Sequence, residues 1–258
     1  MKPLPHPASV VRLRGDDLLF NYESFAELIE EIGSFGYSFQ RIDDTLGNEP
    51  GKVLYLRHDV DISAIAAARI GEIEHSLGAK SSFFFLLGAD TYNLLDPRNM
   101  RIIDRLRSMG HCVGLHIDQR LFDDDERTVY RTLEWFKKCV TDIDLAVSFH
   151  RPTVSVLSRD YTAFASAYRP EIFSDEHYLS DSRRSPEFYT KLQTWLRQGR
   201  TPVQLLLHPG WWYPRQNVEE YRNDLVKRRI HEIDSYLGAN FNKVFGELVS
   251  HENSAFGL

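Results

Sequence analysis

Apolar and polar positions alternate along the chain in short blocks, and the period of each block predicts the element it forms. Phe25, Leu28, Ile29, Ile32 and Phe35 recur at helical spacing behind a Ser24-x-x-Glu27 capping box, so a first helix is expected over Ser24 to Phe35, ended by Gly33 and Gly36. Val53 to Asp61 predicts a buried strand, and Ala66, Ile70, Ile73 and Leu77 after it predict a helix stopping at Gly78. The alternation returns as a strand over Ser81 to Leu87, a helix over Arg98 to Met109, a strand over His111 to Ile117, a helix over Glu126 to Val140 and a strand over Ala146 to His150. After Pro152 the pattern loosens through Tyr161 to Tyr178. It resumes as a helix over Pro186 to Gln198 and a strong strand over Val203 to His208. A long amphipathic helix with Val226, Ile230, Ile233 and Leu237 on one stripe is expected to cover the end of the fold. Repeated β-α units imply a parallel sheet, because parallel neighbours need a crossover that a helix supplies. Six or seven such strands favour a closed or nearly closed barrel over an open sheet.

Composition narrows the class. The 258 residues are 42 % hydrophobic and 26 % charged, values of an ordinary globular chain that exclude disorder and fibrous repeats. Residues 1–258 are expected to form a single barrel domain with an N-terminal helical extension and the long C-terminal helix. A net charge of −6 argues against a surface that neutralises a phosphate backbone, so nucleic acid is not an expected partner. Only Cys112 and Cys139 are present, too few for a disulfide framework, which fits a reducing, cytoplasmic setting. The densest apolar run, Phe83 to Leu87, stops at Gly88, far short of the roughly 18 residues of a membrane span. Met1 to Pro7 lacks an apolar core and carries three prolines, so no signal peptide is expected.

In parallel β/α folds the functional groups collect at the carboxyl ends of strands, and here those ends are polar. The first reads Arg57-His58-Asp59-Val60-Asp61, whose alternation sends Arg57, Asp59 and Asp61 to one face. His111-Cys112-Val113-Gly114-Leu115-His116 ends in a histidine beside small neighbours. The next ends Ser148-Phe149-His150-Arg151-Pro152, and the last ends Leu207-His208-Pro209-Gly210-Trp211-Trp212. One carboxylate with two imidazoles commonly binds a Zn²⁺-like ion with an open position, and a second carboxylate then has the task of base toward a water.

Each residue also has a purely structural reading. Asp61 sits where a helix N-cap is common, and His111, on the opposite face from His116, reads as a hydrogen-bonded core residue. Asp123-Asp124-Asp125-Glu126 reads as a solvated helix start. Trp211, Trp212 and Tyr213 either close over the barrel mouth or offer a stacking platform for a sugar ring.

These segments resemble the polysaccharide deacetylase superfamily over roughly Lys52 to Trp212. The resemblance implies a distorted (β/α)₇ barrel of parallel strands with outer helices. Asp59 and Asp61 match the first motif, which makes Asp59 the general base and Asp61 a metal ligand. His116 takes the first histidine-ligand position, Arg151-Pro152 matches the motif whose Arg orients the base, Asp181-Ser182 is similar to the fourth motif, and His208 takes the place of the general acid. The family's second histidine, four residues after the first, is replaced by Arg120. The segments His58 to Asp61 and Ser148 to Pro152 are similar to a divergent branch involved in bacterial surface-polysaccharide synthesis.

The expected function is therefore a metal-dependent amide hydrolase acting on an N-acylated carbohydrate, a small-molecule or oligosaccharide precursor of a surface polysaccharide such as O-antigen. Arg151, held by Asp181, is expected to aim Asp59, and Arg57, Trp211 and Trp212 to contact substrate. Arg120 has no lone pair for a cation, so His150 is expected as the third protein ligand, ahead of Asp118. Zinc suits one oxygen and two nitrogens, with cobalt, nickel or iron as substitutes. A non-catalytic sugar-binding barrel and a glycosyltransferase using Asp59-Val60-Asp61 are the alternatives. The sequence leaves the oligomeric state open.

Overall fold

The computed structural model describes residues 18–44, 51–120, 124–214 and 217–245. The N-terminal prolines and Asp123 lie outside them. The chain divides after Pro214 into two compact units. In the first, the element order is α1 (Tyr22–Ser34), β1 (Tyr37–Gln40), β2 (Lys52–Val60), α2 (Ala64–Ser76), β3 (Ser82–Leu86), α3 (Pro97–Ser108), β4 (Cys112–Asp118), α4 (Glu126–Cys139), β5 (Ala146–His150), α5 (Val154–Leu157), β6 (Ala165–Ser166), β7 (Tyr178–Ser180), α6 (Glu187–Gln198) and β8 (Val203–Leu207). The second holds α7 (Val218–Asn240), which is the helix predicted on the Val226 stripe, and α8 (Asn242–Phe245).

All strand pairs are parallel, in the order β6-β5-β4-β3-β2-β8-β7, with β1 flanking the first half of β2. The result is a curled parallel sheet with flanking helices, the distorted (β/α) barrel expected. Phe83, Phe84 and Phe85 of β3 are all fully buried. A strand whose two faces are covered needs no polar alternation, which is why this run reads as unbroken apolar sequence. Burying each ring contributes about 1.5–3 kcal/mol.

Two helix starts differ from the reading of the sequence. Asn21, not Ser24, caps α1, its Oδ1 accepting the Ser24 N–H at 2.8 Å, so the helix begins earlier and Ser24 is an interior, buried residue. Ser63 caps α2 by accepting the Ala66 N–H at 3.2 Å, which leaves the Asp61 carboxylate out of the helix start. Asp125 caps α4, and Asp124 pairs with Arg159, so these two members of the acidic run have the structural role expected of them.

Candidate metal centre and its flanking groups

Alternation along β2 carries Arg57 and Asp59 into the barrel interior, with Asp61 following β2 at its mouth. Along β4 it does the same for Gly114, His116 and Asp118. Gly114 is required because a Cβ there would stand 2.1 Å from the Ala146 carbonyl oxygen. Next to it, β5 pairs His116 with Ser148 and Asp118 with His150. Ser148 and His150 share the inner face by ordinary pleating, so no bulge is needed to present His150.

Asp61, His116 and His150 converge. Asp61 Oδ1 lies 3.2 Å from His116 Nε2 and 3.7 Å from His150 Nδ1, and the two ring nitrogens are 3.2 Å apart. Donors about 2.1 Å from one tetrahedral cation stand about 3.4 Å from each other, so these three atoms fit a single ion. Asp61 Oδ1 is buried and has no hydrogen-bond partner among the described residues, as an oxygen reserved for a cation would be. Burial, reinforced by the neighbouring His116, pushes the His150 pKa down and keeps its ring neutral with a lone pair to give. Asp118, the competing ligand, is taken by the Arg120 side chain and backbone N–H.

Tautomer and orientation follow from Ser148. His116 Nδ1 is 2.9 Å from Ser148 Oγ, which in turn donates to Asp59 Oδ2 at 3.2 Å. With Ser148 donating to Asp59, His116 Nδ1 must be the donor toward Ser148 Oγ, and in the neutral ring Nε2 then carries the lone pair on the ligand side.

Asp59 is held from behind. Arg57, nearly inaccessible, donates from Nε to Asp59 Oδ1 at 3.0 Å and from a terminal nitrogen to Oδ2 at 2.8 Å. The same guanidinium also donates to Ser148 Oγ, Tyr168 Oη and Gln204 Oε1. Burial opposes the charge on Asp59, but Arg57, with His116 and His208, outweighs it and holds the carboxyl well below the usual carboxylate range. Arg57 is therefore committed to Asp59 rather than to a substrate. Arg151, expected in that orienting role, is exposed at φ 52° and makes no hydrogen bond to Asp59.

Asp181 is fully buried and serves His208, not Arg151. Its Oδ1 lies 2.6 Å from His208 Nδ1, and it accepts the His208 backbone N–H and the Trp212 indole N–H. Burial alone would lower the His208 pKa, but the bond to Asp181 and the charges of Asp181, Asp59 and Asp61 raise it to about 9. His208 is an imidazolium at neutral pH, its Nε2 3.9 Å from Asp61 Oδ2. Trp212 corrects the platform expectation: it is fully buried between Phe20 and Phe25, and its faces meet no solvent. Trp211 is half-buried with its ring 6.1 Å from that of His208.

On the opposite face, His58, Glu74, Ser81 and His111 form a buried polar cluster, with His58 Nε2 2.6 Å from Glu74 Oε1 and Ser81 bridging Glu74 to His111. His111 has the structural role expected of it. Sequence reasoning missed Ser148, Tyr168 and Gln204. Ser148 is legible as the inner residue two before His150, and Gln204 as the lone polar residue of an apolar strand; Tyr168 carries no such signal.

No protein-family model and no curated protein matches the chain. Among solved structures it is similar to a CE4 family pseudoenzyme from Bacillus anthracis, at 16 % identity and a TM-score of 0.40, over 70 % of this chain and 62 % of that one.

Proposed function

We propose that this chain is a metal-dependent amide hydrolase acting on an N-acylated carbohydrate, in the synthesis of a bacterial surface polysaccharide. The observation that carries the reading is the convergence of Asp61, His116 and His150, with a buried orphan oxygen among them, between an ionised carboxylate and a protonated imidazole. Asp61, His116 and His150 would hold a divalent ion, zinc by its donor set, which would supply Lewis acidity at an acyl oxygen and acidify a water. Asp59, beside His116, accepts the proton of the attacking water. His208, poised by Asp181, donates its Nε2 proton to the departing amine as the C–N bond breaks. Arg57 keeps Asp59 charged and oriented.

One observation favours a second reading, a sugar-binding barrel without turnover: Arg57 and Ser148 occupy both oxygens of Asp59, and a carboxyl held so low is a weak base. Acetate release from N-acetylated chito-oligosaccharides by zinc-loaded protein, abolished by Asp59→Asn, supports the hydrolase. Sugar binding without acetate release from any N-acyl sugar offered supports the binding module.

A further inference from the structure

The described residues contain three non-glycine residues with positive φ, and all three are arginines: Arg151 at 52°, Arg183 at 62° and Arg184 at 56°. A side chain in this region costs about 1–2 kcal/mol, which glycine would not incur. Arg151 is strained twice, because it precedes Pro152 and a residue before proline is driven toward extended backbone. Strain of this kind persists only where the surrounding structure enforces it, and such positions cluster at active sites and ligand clamps.

The positions share a second property. Arg151 directly follows His150, and Arg183 stands two residues after Asp181, so consecutive Cα spacing keeps both within about 8 Å of a residue of the candidate centre. They follow separate strand ends, those of β5 and β7, on the side of the sheet where the strands finish and the centre lies. Arg57 and Arg120 are neutralised by Asp59 and Asp118, and the guanidinium of Arg184 lies 5.0 Å from the centre of the Phe20 ring. Arg151 and Arg183 are exposed and have no ion-pair or hydrogen-bond partner among the described residues.

We propose that Arg151 and Arg183 bind an anionic group of the substrate, a phosphate or a carboxylate on the N-acylated sugar. The inference rests on the hydrolase reading for the place of the sugar and adds its charge. Guanidinium pairs both kinds of oxyanion in a bidentate fork. A chain of net charge −6 repels anions in general, so two uncompensated arginines at the mouth select for one in particular.

Calorimetric titration of the zinc-loaded full chain with N-acetylglucosamine, N-acetylglucosamine 1-phosphate and N-acetylglucosaminuronic acid tests this without requiring turnover. One charged sugar should bind at least tenfold tighter than the neutral one, with the gap narrowing as salt rises. The identity of the tighter ligand distinguishes phosphate from carboxylate. Arg151→Gly and Arg183→Gly should each weaken that ligand about tenfold while leaving the neutral sugar unchanged, and should keep or raise the melting temperature, since glycine relieves the strain. An arginine needed only for structure would lower it. The absence of any preference for a charged sugar, or glycine variants that bind it as the parent does, overturns the proposal. A charged sugar that binds through these arginines but is never hydrolysed leaves the anion site standing and refutes the hydrolase.

Discussion

Arg57 grips Asp59 through both carboxylate oxygens, at 3.0 and 2.8 Å, and both residues are buried. Removing one partner strands the other charge away from water. Arg57→Met is expected to destabilise the fold by about 3–5 kcal/mol, read from urea unfolding, whereas the double variant Arg57→Met, Asp59→Asn should recover part of that loss. Additive losses would show that the pair is not coupled.

The two carboxylates of Asp59-Val60-Asp61 are expected to fail differently. Asp61→Asn should lose zinc on dialysis, as should His150→Ala, while Asp118→Ala retains it. Asp59→Asn should keep zinc and lose about 10²-fold or more in turnover. Metal content by mass spectrometry reads the first effect, and equal metal loss from both Asp variants would contradict the assignment.

The raised pKa of His208 gives the metal-free protein a signed pH dependence. Its protonated form contributes fully below the unfolded value of about 6.5, and that contribution disappears as pH rises through about 9. Melts in a chelator should show Asp181→Asn losing up to about 3 kcal/mol near pH 6, with the difference from the parent shrinking toward pH 10. A gap that stays constant with pH would separate Asp181 from the titration of His208.

Trp211 and Trp212 are neighbours with opposite expected consequences. Trp212→Ala removes a fully buried ring that also donates to Asp181, and should cost about 3–5 kcal/mol. Trp211→Ala should leave the melt nearly unchanged and weaken sugar binding. Matching melts for the two variants would refute the distinction.

The strands and helices that enclose the site were legible because their periods are clean: β5 and β8 lie within the predicted spans, and β2 and β4 each overrun theirs by a single residue. Strands β6 and β7 were not, since two- and three-residue strands cannot establish a period. Asp61, His116 and His150 could be grouped because alternation and strand ends specify the inner face. The partnerships of arginine could not. Arg57 reaches Asp59 from two places back on the same strand, while Arg151 takes a positive φ after His150, and nothing in the composition of Arg151-Pro152 announces that conformation. Asp181 was found but given the wrong partner, because its contact with His208 links β7 to β8 across 27 residues of sequence.

Ser148 has one hydrogen to give. By giving it to Asp59 it obliges His116 to turn its own toward the serine, so the protonation pattern of the centre is decided by a residue that is neither ligand nor base. Inheritance of function in relatives of this chain would then be poorly judged from their acidic and histidine residues alone. A descendant with alanine at position 148 would keep every recognisable element of the centre while its imidazole drifted between two forms, one of them blind to a cation.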